Sequence, residues 1–116
     1  RSIDGDLLEI ARTHRVLDVR RQAVESLGRR DGEQIAGLLL DLAVKDGPED
    51  VQRQAVESLG RMKGGDVMDD LARIARTHPS STVRQQVVES MTRRDPDQAL
   101  RLIEDILRRQ KVKERS

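Results

Sequence analysis

Val19-Arg20-Arg21-Gln22-Ala23-Val24-Glu25-Ser26-Leu27-Gly28 is a stretch that this chain writes three times. It returns as Val51-Gln52-Arg53-Gln54-Ala55-Val56-Glu57-Ser58-Leu59-Gly60. With more substitutions it returns again as Val83-Arg84-Gln85-Gln86-Val87-Val88-Glu89-Ser90-Met91-Thr92, each copy 32 residues after the last. A second echo, Ile10-Ala11-Arg12-Thr13-His14 against Ile74-Ala75-Arg76-Thr77-His78, spans two of the same periods with no insertion between. A fixed period of this size marks a repeat architecture, whose unit cannot bury its own apolar face and must stack on neighbours.

Within the first copy Val19, Ala23, Val24 and Leu27 gather on one side of a helix, while Arg21, Glu25 and Arg29 lie opposite. One side packs and the other is wet. Asp18 precedes this helix, which is expected to run from Val19 to about Arg30. Before it, Ile3 to Arg12 forms a helix on Ile3, Leu7, Leu8, Ile10 and Ala11, which begins inside the first turn of a unit and lacks its cap. After it, Asp31-Gly32-Glu33-Gln34 reads as a capping box for a helix over 32–45 whose apolar residues cover most of its circumference, the pattern of a central helix. The second copy is expected to end near Met62. Lys63-Gly64-Gly65 then leads to a helix on Val67, Met68, Leu71, Ala72, Ile74 and Ala75 that stops before Pro79. Ser80-Ser81-Thr82 caps the third copy. Asp95-Pro96-Asp97-Gln98 opens a last helix, with a frayed tail expected from Lys111 to Ser116.

Seven helices in two alternating classes follow. The expected fold is all-α, a right-handed α-solenoid of antiparallel helix pairs occupying residues 1–116 as one domain of 32-residue units, which can be a fragment of a longer array. The three copies would be the inner layer and the four other helices the outer one.

Composition limits what such an array does. The net charge is +1, with 22 basic and 21 acidic residues interspersed, so no long-range field recruits nucleic acid or acidic membranes. No apolar run reaches membrane-spanning length. Cysteine is absent, which removes disulfides and thiolate chemistry. Phe, Tyr and Trp are also absent, so recognition must rest on aliphatic, polar and charged side chains.

The Val-Arg-x-x-Ala-Val-x-x-Leu-Gly pattern at 19–28, nearly kept at 51–60, resembles the short HEAT-like repeats named after the phycobilisome lyases, over Ile3 to about Arg109. Asp18-Val19-Arg20 is similar to that family's Asp-Val-Arg helix start. The resemblance implies that Asp caps and that Arg bonds between adjacent units. Gln52 replaces the Arg in the middle unit, and Met91-Thr92 stands where Leu-Gly is usual.

The resulting functional expectation is a non-catalytic scaffold that binds a protein partner on the concave face of its inner helices. The residues expected there are Arg21, Gln22, Glu25, Arg29, Arg53, Gln54, Glu57, Arg61, Gln85, Gln86, Glu89 and Arg93. The plainer alternative is a solvated face stitched by i, i+4 ion pairs. The resemblance implies as second choice an accessory or regulatory subunit of an enzyme. Leu100, Ile103, Ile106 and Leu107 on the last helix offer a third, self-association.

No cofactor and no metal site is expected. Some HEAT-like hydroxylases hold iron through His-Glu pairs, but Arg15 follows His14 and Pro79 follows His78. The two histidines, two units apart, would be separated by on the order of 20 Å and read as loop residues without ligands. Asp69-Asp70 and Glu104-Asp105 are neighbours in sequence and point apart on a helix. The Arg20, Arg21, Arg29 and Arg30 cluster suggests phosphate contacts, but Glu25 sits within it and no aromatic residue is present to hold a base.

Overall fold

Each copy of the repeated decapeptide lies on its own helix, and the three helices lie side by side. The computed structural model describes residues 2–45, 47–64 and 66–115. These residues form α1 (Ile3–Thr13), α2 (Leu17–Arg30), α3 (Glu33–Val44), α4 (Glu49–Arg61), α5 (Val67–Thr77), α6 (Ser81–Arg94) and α7 (Pro96–Arg115), with no strand among them. In the inner layer α2 packs on α4 and α4 on α6. In the outer layer α1 covers α2, α3 covers α4 and α5 covers α6, while α7 lies against α5 and α6. The slab measures 51 × 26 × 19 Å, the elongated shape of an α-solenoid.

The 32-residue register is a packing register. Leu27, Leu59 and Met91 occupy one column and are fully buried. Burying side chains of this size contributes roughly 1.5–3 kcal/mol each. The glycines of the copies serve close approach. A Cβ on Gly28 would stand 2.8 Å from the Cβ of Ser58, and one on Gly60 would stand 3.0 Å from that of Ser90. Consecutive inner helices therefore touch along a seam in which a glycine of one receives a serine of the next.

Several local readings change. Ser2 does cap α1, its Oγ accepting from the Gly5 amide at 3.0 Å. Asp31 does not cap α3. It closes α2 with φ 61° and Gly32 follows at φ 104°, so two residues in left-handed conformations make the turn without a side-chain cap. Asp18 is not a cap either, because α2 starts one residue earlier at Leu17; its carboxylate pairs instead with Arg21. The α3 helix is not enclosed on all sides. It buries Ile35, Leu39, Leu42 and Ala43, and leaves Val44 exposed, because the outer layer has a solvent side. The last helix, with a frayed tail expected from Lys111, is helical to Arg115, and Ser116 lies outside the described residues. Asp95 caps it as expected, accepting from the Gln98 amide at 3.1 Å.

Candidate functional site

The wet side of each inner helix carries a column of four residues at helical spacing. On α2 these are Asp18, Arg21, Glu25 and Arg29; on α4 they are Asp50, Arg53, Glu57 and Arg61. Both columns alternate acid and base, in register across the α2–α4 seam. On α6 the column is Thr82, Gln85, Glu89 and Arg93, so its first half is uncharged.

On α2 and α4 the charges pair inside each helix. Arg29 Nη2 lies 2.7 Å from Glu25 Oε1, and Arg61 Nη2 lies 2.8 Å from Glu57 Oε1. Arg21 turns back to Asp18, and Arg53 stands 4.0 Å from Asp50, so neither basic group reaches the Glu four residues on. Exposed pairs of this kind contribute only about 0.3–0.5 kcal/mol. A partner's charges can replace them at small cost, which is what an adaptable binding surface needs.

The glutamine column divides. Gln22 is exposed, Gln54 is half-buried with its Nε2 donating to Ser58 Oγ at 3.3 Å, and Gln86 is buried at 8% exposure with its Nε2 donating to Ser90 Oγ at 3.3 Å. The serine of each pair faces the glycine of the preceding helix, so this column belongs to the seam. Gln86 is therefore removed from the expected contact face. The remaining residues of that set are exposed or half-buried.

The two seams differ beside this face. Between α2 and α4 a cleft of about 310 Å³ opens, lined by Glu25, Gly28, Arg29, Asp31, Ser58, Arg61, Met62 and Lys63. At the corresponding place between α4 and α6 the guanidinium of Arg94 donates to three carbonyls, one in the last turn of α4 and two in the turn after it. Gly60 O accepts at 3.0 Å, Gly64 O at 2.8 Å, and Met62 O accepts as well. One period earlier the Arg94 position is Met62, which has no donor, and the turn after α2 is left unclamped. The sequence holds this signal only as the column Arg30, Met62, Arg94, which no periodicity of apolar residues brings out.

A second group of long side chains holds each hairpin. Arg20 donates to Arg12 O, Gln52 to Lys45 O, and Arg84 to His78 O at 2.6 Å, each reaching the end of the outer helix of its own unit. The Arg of the repeat thus bonds within its hairpin, not between adjacent units, and Gln52 keeps the contact.

The histidines also separate. His14 is exposed and accepts from the Val16 amide. His78 is buried: its Nδ1 accepts from the Ser80 amide at 3.0 Å, which leaves Nε2 to donate to Ala43 O, also at 3.0 Å, in the preceding unit. It is a tether between units, not a free loop residue. Among the described residues no cluster of three or more His, Cys, Asp or Glu could hold a metal ion, and no helix is long and apolar enough to cross a membrane.

The sequence matches the family described as HEAT repeats over residues 5–90 and again over 36–116. The chain belongs to the HEAT repeat family. HEAT repeats commonly serve as protein-interaction scaffolds and are typically non-catalytic. No curated protein and no solved structure matches the chain. Membership stands at the level of the HEAT repeat. Of the narrower likeness to lyase-type units, the Asp18-Val19-Arg20 start neither caps with its Asp nor bridges units with its Arg.

Proposed function

We propose that this HEAT repeat array is a non-catalytic scaffold that binds a protein partner across the face of α2, α4 and α6. The observation that carries the reading is the pair of matched acid-base columns on α2 and α4. Their eight charges form ion pairs only within their own helix, and so present the same alternating pattern twice, one helix spacing apart. A partner segment carrying charges of both signs would lie across the helices and exchange these intrahelical pairs for intermolecular ones. Arg21, Glu25 and Arg29 would supply one row, Arg53, Glu57 and Arg61 the next, with Gln22 and Gln54 at their sides. Gln85, Glu89 and Arg93 would set the weaker third row.

The test is exchange of charge without change of net charge. Affinity purification with the wild-type chain is compared with Arg53→Glu/Glu57→Arg and with Arg76→Glu on the exposed side of α5. The expected result is a partner retained by wild type and Arg76→Glu and lost by the double variant, with helicity unchanged. Retention by the double variant would place the contact elsewhere.

A further inference from the structure

On α7 Leu100 and Leu107 are exposed and Ile103 and Ile106 half-buried, and nothing in the molecule shows what covers them. The cleft between α2 and α4 is different, because the molecule holds a filled copy of it one period on. In that copy the guanidinium of Arg94 lies across the end of α4: its Nη1 donates to Gly60 O at 3.0 Å and to Met62 O, and its Nη2 to Gly64 O at 2.8 Å. A planar group with several donors fits carbonyls spread over one turn, and a cation is favoured at the negative end of the helix dipole.

The α2–α4 cleft keeps the frame and lacks the cation. Gly28 stands for Gly60 and Ser58 for Ser90, while the position of Arg94 is taken by Met62, buried at 3% exposure. The charges at matching positions are alike: Glu25 and Asp31 with Arg29, Arg61 and Lys63 in the cleft, Glu57 and Asp95 with Arg61, Lys63 and Arg93 one period on. Two acids and three bases accompany a guanidinium in the second seam, so the same count in the first is no obstacle to one. Two of the cleft's bases are also already paired, Arg29 with Glu25 and Arg61 with Glu57.

The end of α2 is moreover the least closed. The cap amides of His14, Lys45, Met62, His78 and Asp95 each bond back to a carbonyl of their own helix, and that of Asp31 does not. A carbonyl of the last turn is left without that partner. The Asp31 carboxylate forms no ion pair among the described residues, and it stands where the second seam has the base Lys63. At about 310 Å³ the cleft has room for one side chain.

We propose that the α2–α4 cleft is a guanidinium site, filled by an arginine of the protein that binds across α2 and α4, as Arg94 fills the next seam from within. The guanidinium is held by Gly28 O, the carbonyl matching Gly60 O, and by the Asp31 carboxylate. That the arginine belongs to a partner rests on the proposed scaffold role; the affinity of the cleft for a guanidinium does not.

The probe is N-acetyl-argininamide, titrated into the isotope-labelled full chain at constant ionic strength, with the backbone carbonyl and Asp31 carboxyl 13C resonances as readout. One side chain in such a cleft should bind with a dissociation constant on the order of 1–10 mM. The expected result is saturable shifts at Gly28 and Asp31 that N-acetyl-lysinamide and inorganic phosphate do not produce. Met62→Arg, which supplies the guanidinium from within, should abolish these shifts with helicity unchanged, and Met62→Leu should keep them. Arg94→Met empties the second seam and should add a second set at Gly60 and Gly64. Absence of saturable shifts in wild type, equal shifts with the lysine or phosphate probe, titration of Met62→Arg as in wild type, loss of the shifts in Met62→Leu, or no second set in Arg94→Met would each overturn the proposal. Partner loss in Arg53→Glu/Glu57→Arg without any arginine shift in wild type strikes the cleft and spares the scaffold role. Arginine shifts with the partner retained by that variant do the reverse.

Discussion

The α2–α4 seam and the α4–α6 seam are built from the same decapeptide, yet one is open and the other is clamped. Both bring a glycine against a serine, and both keep a leucine or methionine in the same fully buried column. The difference is one position. Arg94 holds three carbonyls, one in the last turn of α4 and two in the turn after it, whereas Met62, a buried apolar side chain, leaves the turn after α2 to the conformations of Asp31 and Gly32. Repetition of the core fixes the spacing of the helices; the residues outside the core decide how firmly each turn is held.

The largest effect should come from making the seams unequal. Gly28→Val puts a branched side chain where a Cβ alone would be 2.8 Å from Ser58, and should cost about 1–3 kcal/mol, more than Gly60→Val at its 3.0 Å contact. Urea midpoints of the two variants give the order directly.

Next comes the clamp. Arg94→Met turns the second seam into a copy of the first, and should lose roughly 2 kcal/mol by removing charged donors from partly buried carbonyls. Hydrogen exchange and proteolysis should quicken in the turn from Met62 to Asp66 and not in the turn at Asp31 and Gly32.

The converse change is smaller. Met62→Arg, placing a donor within reach of the turn after α2, exchanges a buried apolar contact for new hydrogen bonds and should stay within about 1 kcal/mol of wild type. Protection of the Gly32 and Glu33 amides should rise. No change in that protection would show that the Arg94 contact depends on its surroundings and cannot be transplanted.

The smallest effect is expected for Gln52→Arg. Gln52 already makes the bond that Arg20 and Arg84 make in their units, so the substitution should shift the midpoint by no more than about 0.5 kcal/mol.

These contrasts show what was legible in the sequence. The period of 32 and the spacing of Val24, Leu27, Val56 and Leu59 announce both the helices and their pairing, because burial of apolar side chains repeats whenever the units do. The end caps were less legible. Asp18 and Asp31 are both good capping types, but α2 begins a residue before the one and closes at the other, where the φ of Asp31 is 61°. Long polar side chains were the least legible. Arg94 and His78 reach carbonyls 30 to 35 residues away, and a chain of letters does not show that reach. The glutamine column divides for a related reason: Gln22, Gln54 and Gln86 are the same letter in sequence, but only Gln86 is buried, with its Nε2 donating to Ser90 Oγ.

The seam of glycine against serine has a direction, since the glycine belongs to the earlier helix and the serine to the later one. Ser26 is the corresponding serine of the first copy, and Thr92 stands on α6 where Gly28 and Gly60 stand on α2 and α4. Duplication of a unit during evolution would on this ground be accommodated readily ahead of α1, and behind α6 only after a second substitution had restored the missing glycine.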